Sequence, residues 1–335
     1  MGVLPRWIVA VAALALLVGC TASPPPRDDR LVQDLRRGAG GGDAVVHLEA
    51  LQRIADAAGG TRVVGGPGYD MSVDYVAGVL HDAGFEVSTP TYEASSGRDG
   101  ERAPVVLRSV VAQTRTGDRR RVVMAGSHLD SVEEGPGIND DGSGVAALLE
   151  IAKRTGSAPA LPNTVRFAFW GSEEKRREGS KSYVRGLGDG ARDVVAYLNL
   201  DMVGSPNGGY FVQGGQGERP SETGPPGSAA VARVLTEELA RTGVTAQTIP
   251  FTGDDDAAFV RAGIPTGGAL TGAGDAKTVE QARVWGGQAG APYDPCYHAA
   301  CDRLANVDRT SLSRYTDAVA AALTRFGTST ARPAD

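Results

Sequence analysis

The sequence predicts a single α/β domain built on a mostly parallel central sheet with helices on both faces. Two observations predict it. From about residue 43 onward, helical and strand patterns alternate with no long linker, the order expected of parallel strands joined by crossover helices. There is also no internal repeat and no second regime of composition, and 335 residues with 41% hydrophobic side chains suffice for one large core. The 46 glycines and 19 prolines suit a loop-rich α/β chain. A net charge of −6, without a basic stripe, excludes nucleic acid as an expected partner.

Each element follows in order. DAVVHLEALQRIADAAGG and YDMSVDYVAGVLHDAGF both set apolar residues at helical spacing and stop at glycine. APVVLRSVVAQT and RRVVMAGSHLD are β-rich runs that end in polar residues, and SGVAALLEIAKRTG predicts a helix starting near Ser143 and stopping at Gly156. NTVRFAFWGSEE, a helix near GSKSYV and VVAYLNLDMVG repeat the order strand, helix, strand. SAAVARVLTEELARTG is a further helix, IPTGGALTG a strand and SLSRYTDAVAAALTRFG the closing helix.

The N-terminus is of another kind. MGVLPRWIVAVAALALLVGC carries one positive charge, an apolar run from Trp7 to Val18, and a small residue before Cys20. The run is shorter than the ~20 residues a bilayer span requires, so it reads as the h-region of a signal. Its end, Leu17-Val18-Gly19-Cys20, resembles a bacterial lipobox, in which the cysteine is lipidated and becomes the mature N-terminus; an ordinary cleaved signal peptide is the alternative. Residues 1–19 are then signal peptide. Residues 20–42, with SPPPRDD and a glycine-rich run, form a tether that holds a soluble domain (43–327, tail 328–335) at an extracytoplasmic membrane face, release into the medium being the other outcome. With Cys20 spent on lipid, Cys296 and Cys301 remain, and in an oxidising compartment they are expected to form a disulfide. A loop so short gains only about 2 kcal/mol from closure, so local rigidity is its expected use.

In open α/β sheets, ligands bind beyond the carboxyl ends of the strands. There, MAG leads into Ser127-His128-Leu129-Asp130, RFAFWG into Ser172-Glu173-Glu174 and VVAYLNL into Asp201. Together with the acidic pair after Ile138-Asn139 and with His298, these residues supply the imidazoles and carboxylates that Zn²⁺ takes. Asp130 adds a carboxylate placed to orient the His128 ring. His47 and His81 lie in helical patterns away from these blocks and read as packing or surface residues, and GDDD at Gly253–Asp256 reads as a solvated acidic loop.

The blocks AGSHLDSVEEGPGINDDGSGVAALLE, RFAFWGSEE, YLNLDMVGSPN and DPCYHAACD resemble, in the same order, those of the secreted bacterial double-zinc aminopeptidases of the S and Y type, metallopeptidase family 28. The similarity runs from about residue 44 to 326, and GYFVQ, GGALTGAG and WGGQAG also resemble that group. The resemblance implies a zinc exopeptidase (phosphorylase/hydrolase-like) fold, a monomer, and peptide substrates with a free, apolar N-terminal residue. It assigns His128 and Asp201 to one zinc, Glu174 and His298 to the other, and Asp140 as the bridge, followed by a cis peptide. Glu173 becomes the general base and Tyr297 an oxyanion donor. Three departures stand out: Gly253 and Asp256 replace an arginine and a histidine; KRRE at Lys175–Glu178 replaces an apolar linker; and only Asp317 matches a calcium site of some relatives, Ser313 replacing its partner, so calcium is not expected. A single-zinc glutaminyl cyclase on the same fold and a non-catalytic peptide-binding lipoprotein are the competing readings; the complete ligand set argues against both.

Overall fold

Near-continuous apolar runs in the central strands set the architecture, because successive side chains point to opposite faces of a strand and both faces must then be covered. The computed structural model describes residue 2 and residues 42–95 and 104–334. In chain order the elements are α1 (Gly42–Ala57), α2 (Pro67–Asp82), β1 (Glu86–Ser88), β2 (Thr91–Ser95), β3 (Pro104–Arg108), β4 (Val110–Gln113), β5 (Asp118–His128), α3 (Gly142–Ser157), β6 (Asn163–Trp170), α4 (Glu178–Leu187), β7 (Val194–Leu200), β8 (Phe211–Gln213), α5 (Pro220–Thr223), α6 (Ser228–Arg241), β9 (Gln247–Ile249), α7 (Asp256–Arg261), β10 (Thr266–Leu270), α8 (Val279–Trp285) and α9 (Arg309–Thr328). Cys20, the tether up to residue 41 and, apart from Gly2, the expected signal segment lie outside the described residues.

Eight strands form the main sheet in the order β1-β4-β6-β5-β7-β10-β8-β9. Its centre, β6-β5-β7-β10, is parallel, as the alternating pattern requires. Antiparallel β4 and β1 extend one edge; β8 pairs antiparallel with β10 and carries the parallel edge strand β9. The run APVVLRSVVAQT, one strand by pattern, divides at Ser109: β3 pairs with β2 in a separate ribbon, and β4 joins the main sheet.

Both faces are covered, in agreement with the predicted class. On one face Val123, Ala125, Val165, Phe167 and Phe169 pack with Leu48 of α1, Val73 of α2, Leu148 of α3, Leu235 of α6 and Val319 of α9. On the other, Met124, Ala168, Trp170 and Tyr197 pack with Phe259 of α7, and Tyr183 and Val184 of α4 lie against them. The Trp170 indole donates to the Tyr197 hydroxyl (2.9 Å), which donates to Asn199 (2.8 Å). Gly126 sits beneath this chain, where a Cβ would lie 2.5 Å from the Tyr197 oxygen and 2.7 Å from the Trp170 nitrogen, so the strand leading to His128 needs glycine there. Helix α9 runs one residue past the expected boundary, and the carbonyls of Ser329 and Ala331 accept from Arg121 at 3.2 and 3.1 Å, tying the tail to the domain. Among the described residues no helix is long and apolar enough to cross a membrane.

Candidate metal centre

Three adjacent strands deliver the core of the site. His128 ends β5, Glu173 and Glu174 follow β6, and Asp201 follows β7. Asp140 comes from the loop before α3, and the Asp140–Asp141 peptide is cis, as expected. His298 comes from the disulfide loop far along the chain. Of four non-glycine residues at positive φ among the described residues, three lie at these junctions: Ser172 (64°), Met202 (52°) and His298 (55°). This conformation is costly for such residues and concentrates where a site holds it in place.

Asp140 faces both imidazoles. Its Oδ1 lies 3.1 Å from His128 Nε2 and its Oδ2 3.2 Å from His298 Nε2. Beyond it, His128 Nε2 is 3.9 Å from Asp201 Oδ1, and His298 Nε2 is 2.9 Å from Glu174 Oε2. His128, Asp140 and Glu174 bring ligand atoms within 4.8 Å of one another, as do His128, Asp141 and Asp201. The oxygens of Asp141 are already committed, however: Oδ1 accepts from the N–H groups of Gly144 and Met202 (both 2.9 Å) and Oδ2 from the Ser127 hydroxyl. Asp141 thus caps α3 and ties it to the turn after β7. By contrast, Oδ2 of Asp140 meets only the His298 ring, and Oε1 of Glu174 is buried with no hydrogen-bond partner.

The electrostatics describe a site that wants a cation. Burial pushes the Glu174 carboxyl up to about 7, with Asp140 adding to the effect, and holds Asp201 well above the usual carboxylate range. Hydrogen bonds to Asp140 and Glu174 push His298 up to about 10. Burial opposes a charged His128, yet Asp130, Asp140 and Asp201 outweigh it and hold the ring well above its ordinary value. Burial opposes a charged Asp140 too, but the two imidazoles keep it below the usual carboxylate range. The donor set, two imidazoles and three carboxylates with a buried oxygen of Glu174 unpartnered, fits zinc, which would replace the protons now shared among them.

The supporting residues account for the loop geometry. The Asp130 carbonyl lies 3.1 Å from His128 Nδ1 and its carboxylate 3.7 Å away, so the backbone is the nearer partner of the ring; the carboxylate instead accepts from the Glu173 N–H at 3.1 Å. The disulfide Cys296–Cys301 is formed. Its loop is locked to the Asp140 loop by two aspartates. Asp302 accepts from the N–H groups of Asn139 (2.8 Å) and Asp140 (3.0 Å), and Asp294 accepts from the Asn139 side chain (2.6 Å) and from the Cys296 N–H (2.8 Å). The Tyr297 ring stacks on His298, with centroids 3.8 Å apart.

Sequence reasoning missed Asp294, Asp302 and Arg62. Arg62 is fully buried and donates to the carbonyls of Leu129, Pro136 (2.9 Å) and Gly137 (2.5 Å), bracing the loop that carries both Asp130 and Asp140. Its only signal is a charged residue between a helix-stopping glycine pair and a proline helix start, a pattern with no chemistry in its spacing. The reading of GDDD as solvated is corrected: Asp255 and Asp256 are 1% and 0% exposed, because this segment turns inward to open α7. His47, buried against the Tyr75 hydroxyl (2.7 Å), and exposed His81 stay outside the site.

An open α/β sheet whose carboxyl-end loops gather imidazoles and carboxylates around one shared aspartate defines a class, the metal-dependent exopeptidases. The model of Peptidase family M28 matches residues 109–323, and the chain belongs to that family. It is similar to the Mycobacterium tuberculosis protein named "Probable lipoprotein aminopeptidase LpqL", 34% identical over 91% of this chain and 90% of that one. It is also similar to Leupeptin-inactivating enzyme 1 of Streptomyces exfoliatus, 40% identical over 96% of this chain and 68% of the relative. Among solved structures, an aminopeptidase from Aneurinibacillus sp. strain AM-1 shares the fold, with a TM-score of 0.69 at 17% identity over 91% of this chain and 97% of that one.

Proposed function

We propose that the chain is an extracytoplasmic, zinc-dependent aminopeptidase that binds two zinc ions. His128 and Asp201 would hold one, Glu174 and His298 the other, and Asp140 would be shared between them. The observation that carries this reading is Asp140 itself, whose two oxygens each face a different histidine. The enzyme class, a metalloaminopeptidase, follows from membership of family M28 and from the names of the relatives.

Zinc, when bound, supplies Lewis-acid polarisation of water and of the scissile carbonyl. Glu173 supplies the base. Its N–H is fixed by Asp130, and burial, reinforced by Asp255 and Asp254, pushes its carboxyl up to about 9, so it holds a proton more readily than an ordinary carboxylate. It takes the proton of the attacking water and returns it to the leaving amine nitrogen. Burial, then Asp140 and Glu174, keep the Tyr297 phenol protonated, so its O–H donates to the negative charge that develops on the carbonyl oxygen. A cavity of about 440 Å³ adjoins these groups, and Met202, Phe211, Ile249 and Leu270 line it, which supports an apolar N-terminal side chain. Attachment through a lipidated Cys20 agrees with the lipobox-like sequence and with the name of the M. tuberculosis relative.

Two neighbouring carboxylates test the assignment. Glu173→Gln should keep zinc content and substrate binding while kcat falls roughly 10²- to 10⁴-fold. Glu174→Gln should lose zinc and recover part of its activity at high metal concentration. Exchanged phenotypes would reverse the two roles, and a single metal per chain in fully active protein would refute the bridged pair.

A further inference from the structure

The loop that carries Glu173 also holds an arginine whose hydrogen-bonding groups the fold leaves unused. Lys175, Arg176 and Arg177 follow the Glu173-Glu174 pair directly. Lys175 is paired with Glu133 at 3.3 Å and Arg176 is exposed, whereas Arg177 is half-buried and turned back towards Glu173. Its Nε lies 3.7 Å from Glu173 Oε1, too far for a hydrogen bond. That Nε is buried without a hydrogen-bond partner, and Glu173 is the one ion-pair contact of the guanidinium among the described residues.

The placement of this side chain is set by the backbone. Arg177 is the fourth non-glycine residue at positive φ (58°), a conformation costly for arginine, and its N–H donates to the Ser172 carbonyl at 2.5 Å. Opposite it runs the segment between β9 and α7, where Gly253 has a φ of 100°. A Cβ at Gly253 would meet only Nη1 of Arg177, at 3.8 Å, so the space between guanidinium and segment is open. Asp256 does not fill the role of partner. Burial, then Asp254 and Asp255, hold its carboxyl well above the usual range, and Arg177 opposes that only weakly. A half-exposed guanidinium with free donors beside an open recess suits a carboxylate, whose two oxygens match its planar fork.

The reaction fixes where such a carboxylate comes from. Glu173 returns its proton to the leaving amine nitrogen, so the residue after the scissile bond begins beside Glu173 and therefore beside Arg177. In a dipeptide the α-carboxylate carbon is two bonds from that nitrogen. In a longer peptide a neutral peptide carbonyl takes its place, and the nearest negative charge is that of an acidic side chain. We propose that Arg177 binds a carboxylate on the residue after the scissile bond, foremost the α-carboxylate of a dipeptide, and so directs the enzyme towards dipeptides. This inference rests on the aminopeptidase reading with Glu173 as its base.

The test compares zinc-loaded parent, Arg177→Gln and Arg177→Lys on leucyl-glycine, leucyl-glycinamide and leucyl-aspartic α-amide, whose only carboxylate is on the side chain. The quantity read is the ratio of kcat/KM for leucyl-glycine to that for leucyl-glycinamide, in which a disturbance of Glu173 or of zinc binding cancels. One charge-assisted contact corresponds to a preference of roughly 10- to 100-fold for the dipeptide in the parent, carried mainly by KM. The preference should vanish in Arg177→Gln, stand in between in Arg177→Lys, and shrink with added salt, while zinc content stays the same. Calorimetry on the Glu173→Gln protein should show the dipeptide bound more tightly than its amide, without turnover. A parent without this preference, or a preference that survives Arg177→Gln, would overturn the proposal. So would an equal fall on dipeptide and amide with the ratio kept, since Arg177 would then only support Glu173. A parent that favours the aspartic amide over the dipeptide would assign the contact to a side-chain carboxylate and overturn the dipeptide preference. A parent inactive on all three substrates would refute the aminopeptidase reading itself, an outcome separate from these.

Discussion

Replacing Arg62 by methionine removes the brace under the metal-bearing loop while keeping an unbranched side chain of similar length. Arg62 is fully buried, and its guanidinium serves three carbonyls, those of Leu129, Pro136 and Gly137, from positions flanking Ser131 to Gly135. Burial drives its pKa down, and Asp130, Asp302, Asp141 and Asp140 around it oppose that shift, so the charge is shared with the residues it positions. The Gly137 carbonyl keeps the Gly142 N–H at 3.1 Å, so two carbonyls lose their donor. Each costs about 1–3 kcal/mol, or roughly 2–6 kcal/mol for two. The apolar volume of methionine and some loop relaxation offset part of this, and we expect a net loss of about 2–4 kcal/mol, a large share of the ~5–15 kcal/mol that stabilises a typical domain. Urea unfolding of the zinc-loaded protein should show a lower midpoint at unchanged slope. Activity at a temperature where the variant stays folded should also fall, because Asp140 is carried by the unbraced loop. Arg62→Lys should lie between the two, since a single ammonium cannot reproduce the planar fork. An Arg62→Met midpoint within about 1 kcal/mol of the parent, with full zinc content and activity, would refute this account of the loop.

The disulfide, the tyrosine and the anchor give three further expectations. Serine at both Cys296 and Cys301 should cost no more than about 2 kcal/mol of stability, given the short loop, while kcat falls more than that figure suggests because His298 and Tyr297 sit between the cysteines; a melting shift with unaltered kcat would contradict this. Tyr297→Phe keeps the ring stacked on His298 but removes the donor, so kcat should drop roughly 10- to 10³-fold with KM and zinc content little changed, and a change in KM alone would assign the hydroxyl to substrate binding. Cys20→Ser should move the folded enzyme from the membrane fraction to the soluble one. Recovery of lipid-free parent with an N-terminus beyond Cys20 would contradict the lipobox reading.

The central sheet and most of the site were legible in the amino-acid order because their signals are local. Near-continuous apolar runs, buried on both faces, mark β5, β6 and β7, and a polar residue just past each run marks a candidate ligand, so His128, Glu173, Glu174 and Asp201 could be singled out without coordinates. The short strands β1, β8 and β9 have only three residues each, too few to show a period, and the division of one β-run at Ser109 depends on which partner strand lies opposite. The resemblance pointed to Asp140 rather than Asp141, and tertiary structure supplied the physical reason, since the oxygens of Asp140 face the two histidines. Asp141 is consumed by donors from β5, α3 and the turn after β7, which meet only once the sheet has assembled. Tertiary structure alone decided that Asp302 locks the disulfide loop onto Asp140, that Arg62 braces that loop from beneath, and that two aspartates of GDDD turn inward while Asp254 faces the cavity. A hydrogen bond between residues far apart in the chain leaves no periodic trace in sequence; its partners become visible only when folding brings them within 3 Å or so of each other.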